Sequence, residues 1–190
     1  FAELTNERVN GGNAELLPQR AWEARGSIER TIMGDGKLRL EAGYDRISLV
    51  QDRVPTPEGF DAPGNLGSGT LRFVKGIADL PLAPLGIRGG RLTLAGTLQD
   101  SSVTDPYTGR SRHFSGYGTW DLNAEFRQDL GQFAWGLSYY ASPGGTVFRR
   151  DEEDHFNGVE PYLVAFAEWR PTRRTTLTLQ LDNLADMRAT

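Results

Sequence analysis

The sequence predicts an all-β protein, an antiparallel up-and-down meander of about eight long strands. Three observations carry that reading. Apolar and polar residues alternate with a period of two from about residue 20 onward, and almost no stretch repeats at a helical period. The 23 glycines and 10 prolines are spread along the whole length, which supplies turns throughout instead of one disordered tract. The gaps between alternating segments run short, long, short, long, short, long, short, so every second connection falls at the same end of the sheet.

The elements follow in chain order. The first runs from Gln19 to Met33 and stops at Gly34-Asp35-Gly36, a tight-turn composition. In the second, Lys37 to Arg53, Leu38, Leu40, Ala42 and Tyr44 share one face, while Lys37, Arg39, Glu41 and Gly43 share the other. A long gap, Val54 to Ser68, leads to a third segment from Gly69 to Leu82, and Ala83 to Gly89 connects it to the fourth, Gly90 to Val103. Beyond the gap Thr104 to Ser115, the fifth segment, Gly116 to Asp129, sets Trp120, Leu122, Ala124 and Phe126 against Asp121, Asn123, Glu125 and Arg127. Leu130-Gly131 turns the chain into the sixth, Gln132 to Val147, and the gap Phe148 to Val159 precedes the seventh, Glu160 to Arg170. After Pro171 to Arg173 the eighth, Arg174 to Leu184, places Leu177, Leu179 and Leu181 opposite Thr176, Thr178, Gln180 and Asp182. Most of these exceed the roughly 5–6 residues of a typical soluble strand.

Composition removes several function classes. With 21 Lys and Arg against 25 Asp and Glu, a net charge of -4 and no basic run, nothing offers a nucleic-acid face. Cysteine is absent, so there is no disulfide framework, thiolate metal site or cysteine nucleophile. Mean hydropathy is -0.47 and no window approaches the roughly 20 apolar residues of a membrane helix. No basic stretch followed by an apolar one opens the chain at Phe1. The two histidines, His113 and His155, belong to no HExxH pair, and no GxSxG, Walker or dinucleotide motif occurs, so no catalytic residue, cofactor or metal set is read. The consecutive acids Asp151 to Asp154 lack the spacing and sharp-turn glycine of a calcium loop and read as a solvated charged loop.

Short connections at one end and longer ones at the other are the pattern of outer-membrane barrels, whose short turns are periplasmic and whose loops face outward. Trp22, Trp120, Trp135, Tyr139, Tyr140 and Trp169 lie near segment ends, where an interfacial girdle would want them; in a soluble sheet the same rings would fill a core. A complete eight-stranded barrel would have three turns and four loops, and the count here is reversed. The expectation is therefore a section of a larger transmembrane barrel across residues 1–190, lacking a closing strand, with Phe1 to Pro18 as the tail of an outer loop and Asp182 to Thr190 as a strand rising into another.

Two stretches sharpen this. Gly12-Asn13-Ala14-Glu15-Leu16-Leu17-Pro18-Gln19-Arg20-Ala21-Trp22-Glu23 resembles the GNPxLxPExSxxxE stretch of TonB-dependent outer-membrane receptors, with Ala14 and Gln19 where proline and glutamate are usual. Asp182-Asn183-Leu184-Ala185-Asp186 resembles the DNLFD stretch near the end of that family's barrel, with Ala185 replacing the aromatic. Nearly the whole chain thus resembles the C-terminal part of such a barrel, without the family's N-terminal plug or final aromatic-ended strand. The resemblance implies a non-enzymatic receptor in the outer membrane of a Gram-negative-type cell. Its partners would be outer-membrane lipid, TonB acting through the plug of the full receptor, and a scarce small-molecule ligand, by default an iron chelate such as a ferric siderophore.

Outer loops would meet the ligand. Candidate contacts are Tyr107, Arg110, Arg112 and His113 in one gap and Arg149, Arg150 and His155 in the next, cations and rings suited to an anionic chelate or sugar. Glu41, Asp121, Glu125 and Arg127 are expected to face the lumen, toward plug or water. Three other readings stay open: a small autonomous outer-membrane barrel with a structural or adhesive role, a soluble β-sheet binding module, and a rim hydrolase using Asp154 and His155.

Overall fold

The computed structural model describes residues 13–57, 59–150, 152–158 and 161–185. In chain order the strands are β1 (Arg20–Ile32), β2 (Gly36–Ser48), β3 (Gln51–Pro55), β4 (Asp61–Asn65), β5 (Gly69–Pro81), β6 (Gly90–Thr104), β7 (Ser111–Arg112), β8 (Trp120–Leu130), β9 (Phe133–Ala141), β10 (Gly145–Phe148), β11 (Glu153–Phe156), β12 (Tyr162–Thr172) and β13 (Thr175–Leu181). One sheet runs β1-β2-β5-β6-β8-β9-β12-β13 in an antiparallel meander, with β7 added to the end of β6. Among the described residues the outer edges of β1 and β13 are unpaired. The expected starts at Phe1 to Gly12 and Glu160, and the end from Asp186 onward, lie outside the described residues.

Two long segments are each broken into two strands. Lys37 to Arg53 ends its main-sheet run at Ser48, because Leu49 takes a left-handed backbone conformation, φ 58°, and turns the chain off the sheet. The turn buries Val50 against Leu66, whose N–H donates to the Val50 carbonyl at 2.7 Å, and β3 then pairs with β4. Gln132 to Val147 breaks at Ser142-Pro143-Gly144, where proline has no N–H for the ladder, and β10 pairs instead with β11. The fifth segment enters the sheet only at Trp120. Two of the three long gaps therefore contribute to hairpins that pair within themselves, while the third adds β7 to β6, and the eight-strand path of the main sheet is unchanged.

Register places the side chains on two unlike faces. Across neighbouring strands Ala42, Val74, Leu98 and Trp120 lie in one row, and Ala124, Tyr139 and Leu163 in another, so this face is apolar and uncovered. Ile28, Leu98, Leu177 and Leu179 are each more than 60% exposed except Leu177 at 54%. Of the expected girdle residues, Trp22, Trp120, Trp135, Tyr139 and Trp169 share this face, and Tyr44 joins them; Tyr140 does not, because it pairs with Asn123 and Tyr162 on the opposite face. At the turn end Phe133 stacks on Trp169 with centroids 6.2 Å apart.

The other face is charged and carries a unit that occurs twice. Arg25, Gly43 and Phe73 stand opposite one another on β1, β2 and β5, and Arg127, Gly136 and Phe166 do the same on β8, β9 and β12. The central glycine leaves room for the ring to lie across its strand, and a Cβ there would come within 2.6 Å of Phe73 Cζ or 2.7 Å of Phe166 Cζ. Each guanidinium then sits over the ring, at 4.8 Å for Arg25 and 5.3 Å for Arg127. Arg25 also forks onto Asp45, and Arg127 onto Glu168 at 2.8 Å. At the long-loop end this polar face is covered by a small core of Ile47, Val50, Leu66, Val103 and Phe114.

Candidate functional site

The long-loop end is where chemistry gathers. The chain between β6 and β7 folds around Asp105, whose Oδ1 accepts from the N–H groups of Tyr107 (3.0 Å) and Thr108 (2.8 Å) and from the Thr108 hydroxyl (2.9 Å). This is the turn that an Asp at its head favours. Its other oxygen accepts from Arg112 Nε at 2.8 Å. Arg112 Nη1 donates to Asp52 on β3 at 3.0 Å and to the His113 carbonyl at 2.9 Å, and the guanidinium lies 4.4 Å from the centre of the Phe148 ring on β10. All three charged side chains are less than a tenth exposed. Arg112 therefore ties together three loop regions that lie far apart in sequence.

Burial alone would raise the Asp105 carboxyl, but the hydrogen bonds from Arg112, Thr108 and Tyr107 outweigh it and hold the group below the usual carboxylate value. The Tyr107 phenol is pushed up, first by burial and then by the carboxylates of Asp61 and Asp105, so it stays protonated as a donor.

Beside this strut lies a cavity of about 450 Å³, between the β6–β7 loop and the β10–β11 hairpin. Tyr107, Arg110, Arg112, Arg149 and Arg150 line it together with acids that include Glu152 and Glu153. Three polar atoms in its lining, Tyr107 Oη, Arg112 Nη2 and Arg149 Nε, are buried without a hydrogen-bond partner in the protein. Arg150 donates to the Gly59 carbonyl, and Arg149 Nε lies 3.6 Å from Glu152. Such a wall offers several donors and cationic groups, alongside carboxylates, to one bound molecule.

Five of the seven loop residues singled out from the sequence thus surround one cavity. The histidines do not. His113 Nδ1 is 2.9 Å from the Ser101 carbonyl and 3.4 Å from Asp100, and His155 meets Thr146 at 2.9 Å on the exposed face of the β10–β11 hairpin. Arg112 is buried as a strut rather than presented on a loop tip. Sequence reasoning missed Asp52 and Phe148, because both sat inside or beside segments read as plain strand, with no local signal of a distant guanidinium. The four residues expected on the inner wall, Glu41, Asp121, Glu125 and Arg127, all lie on the polar face; Glu41 accepts from Arg39 at 2.8 Å. Among the described residues no cluster of metal-ligating side chains occurs.

No family model matches the sequence, and no curated protein matches it. A solved structure does: the siderophore receptor PirA from Acinetobacter baumannii, with a TM-score of 0.66 at 12% sequence identity, over 92% of this chain and 29% of that one. The likeness is one of fold. This chain has the architecture of a stretch of β-barrel wall, and it spans less than a third of the length of the receptor it matches.

Proposed function

We propose that the chain is a section of the barrel of a TonB-dependent outer-membrane receptor, and that the cavity at its long-loop end belongs to the surface that captures an anionic small molecule, a ferric siderophore by default. The observation that carries this reading is the pairing of a bare apolar face with an arginine-lined, partly unsatisfied cavity at one end of the same sheet. The apolar run on β9, Phe133 to Tyr139, is about 20 Å long at roughly 3.4 Å per residue, comparable with the ~25 Å band of an outer-membrane barrel. Further strands would pair with the open edges of β1 and β13, since unpaired backbone is costly in lipid. TonB, acting through a plug inside the wall, would supply the energy for uptake.

The test uses the native polypeptide that carries this sequence, purified in detergent, with a trianionic ferric catecholate and a neutral ferric hydroxamate as probes. Tyr107→Phe removes only a hydroxyl that has no protein partner, so the fold should keep its stability while catecholate affinity falls about tenfold, the worth of one hydrogen bond to a charged group. Arg110→Gln should weaken binding further and flatten its salt dependence. Unchanged affinity in both variants, or no binding of either chelate by the native polypeptide, would sink the proposal.

A further inference from the structure

Residues 13–19, which open the first receptor-like stretch, are tied to the β3–β4 hairpin and end where β1 begins. Their anchor is Leu17. Its N–H donates to Asn65 Oδ1 at 2.9 Å, and its carbonyl accepts from Asn65 Nδ2 at 2.9 Å and from Gln51 Nε2 at 3.0 Å. One carboxamide thus gives Leu17 the donor and acceptor pair that a neighbouring strand would give. Asn65 Nδ2 also donates at 3.1 Å to the carbonyl of Leu49, at the left-handed corner. On either side of Leu17, Gln19 Oε1 accepts from the Gln51 N–H at 3.2 Å, and Asn13 Nδ2 donates to the Pro63 carbonyl at 3.0 Å. Asn13 Oδ1 closes its own turn by accepting from the Glu15 N–H at 2.8 Å.

The hairpin held in this way also holds the cavity. β3 and β4 pair only with each other, and a two-stranded hairpin has little stability of its own. Its position therefore depends on what grips it. Gln51 and Asp52 are adjacent on β3, so their side chains leave opposite faces. The first bonds the 13–19 segment; the second accepts from Arg112 Nη1 at 3.0 Å. Arg112 is a planar fork whose Nε is fixed by Asp105. Two carboxylates from different loops thus set the plane in which its remaining nitrogen, Nη2, stands without a protein partner in the cavity wall. A shift of β3 moves Asp52 and tilts that plane.

We propose that residues 13–19 are a strap that sets the cavity. Seated on Asn65 and Gln51 they fix β3, and through Asp52 they fix Arg112, so a filled cavity and a seated strap favour one another. Asn65 and Gln51 are positioning residues that act through Arg112 and touch no guest themselves. The inference rests on the reading of the cavity as a capture surface for an anion.

The experiment uses the native polypeptide in detergent with the trianionic ferric catecholate as probe, and reads affinity together with hydrogen exchange of the peptide spanning residues 13–19. In wild type the probe should slow exchange of that peptide about fivefold, and Asp52→Asn should abolish this protection. Asn65→Leu keeps the size of the side chain, adds no charge and removes its three hydrogen bonds. It should free the peptide and weaken the catecholate about tenfold while the main-sheet amides stay protected. Gln51→Met, which removes one bond to Leu17, should act in the same direction and less strongly. In the Asp52→Asn chain, Asn65→Leu should change affinity by less than about twofold, because the link is already cut. A strap with a merely structural role would give the same tenfold loss with or without Asp52, and that result overturns the proposal. So does a freed peptide with unchanged affinity, which leaves the capture reading standing. Absence of catecholate binding by the native polypeptide refutes the capture reading and the strap with it.

Discussion

At the short-turn end of the sheet Arg91 pairs in the open; at the long-loop end Arg112 pairs in the dark. Arg91 holds Asp79 through two nitrogens, with side chains 44% and 35% exposed, and its third nitrogen reaches Asp35 at 3.3 Å. Arg112 holds Asp52 and Asp105 with side chains 7%, 6% and 9% exposed. The first network rests on strand register, which survives its loss. The second holds the loops together, and beside it lies the five-residue core that covers the polar face. The sheet and the loop end are thus stabilised by different means, hydrogen-bonded ladders in one and a small buried cluster in the other.

Breaking the buried network should have the largest effect. Arg112→Ala leaves two carboxylates buried without their cation, at a cost of about 3–5 kcal/mol. Limited proteolysis should then cut the β3–β4 and β10–β11 regions while the strands of the main sheet stay protected. Phe114→Ala empties the core beneath the same loops and should cost about 3 kcal/mol by thermal unfolding, near the low end for a buried aromatic because Phe114 keeps 7% exposure. On the wall itself, Gly43→Ala pushes a Cβ against the Phe73 ring and should cost about 1–3 kcal/mol, with Phe73→Ala in the same chain recovering part of the loss. Asp79→Asn at the turn end should cost no more than about 1 kcal/mol, because an exposed pair contributes little.

Acid sharpens the same contrast. A carboxyl held below its ordinary value contributes stability that is fully present above its unfolded value, about 3.9, and is lost as pH falls through the lower folded value. Asp105 is such a group, so the loop end should resist proteolysis down to about pH 4 and open only below it. Opening already at pH 5 to 6, followed by the same proteolytic sites, would show that Asp105 does not hold the cluster.

Much of the wall was legible in the residues. Alternation at period two fixes which side chains share a face once a strand is granted, so Leu38 with Leu40, Trp120 with Leu122, and Glu125 with Arg127 could be assigned without coordinates. Connection lengths then ordered the strands, because an up-and-down path needs only local turns. The breaks at Leu49 and at Ser142 to Gly144 were harder to see. The alternation changes phase between Tyr44 and Ile47, but no glycine or proline marks a turn at Leu49, and only the partner that Val50 finds in Leu66 makes the left-handed turn worthwhile. Tyr140 shows the same limit from the other side: proximity to a segment end suggested a girdle, but parity alone decides its face.

The candidate site divides along the same line. That Tyr107, Arg110, Arg149 and Arg150 belong to outward loops follows from the sequence, since charged and aromatic residues between long alternating segments have nowhere else to go. That they meet around one cavity, that Arg112 turns inward to Asp52, and that three donors are left without a hydrogen-bond partner depended on how two hairpins fold over the sheet. Local periodicity is a property of neighbouring residues and survives in the sequence; a salt bridge across 60 positions is set by packing, which no local pattern records.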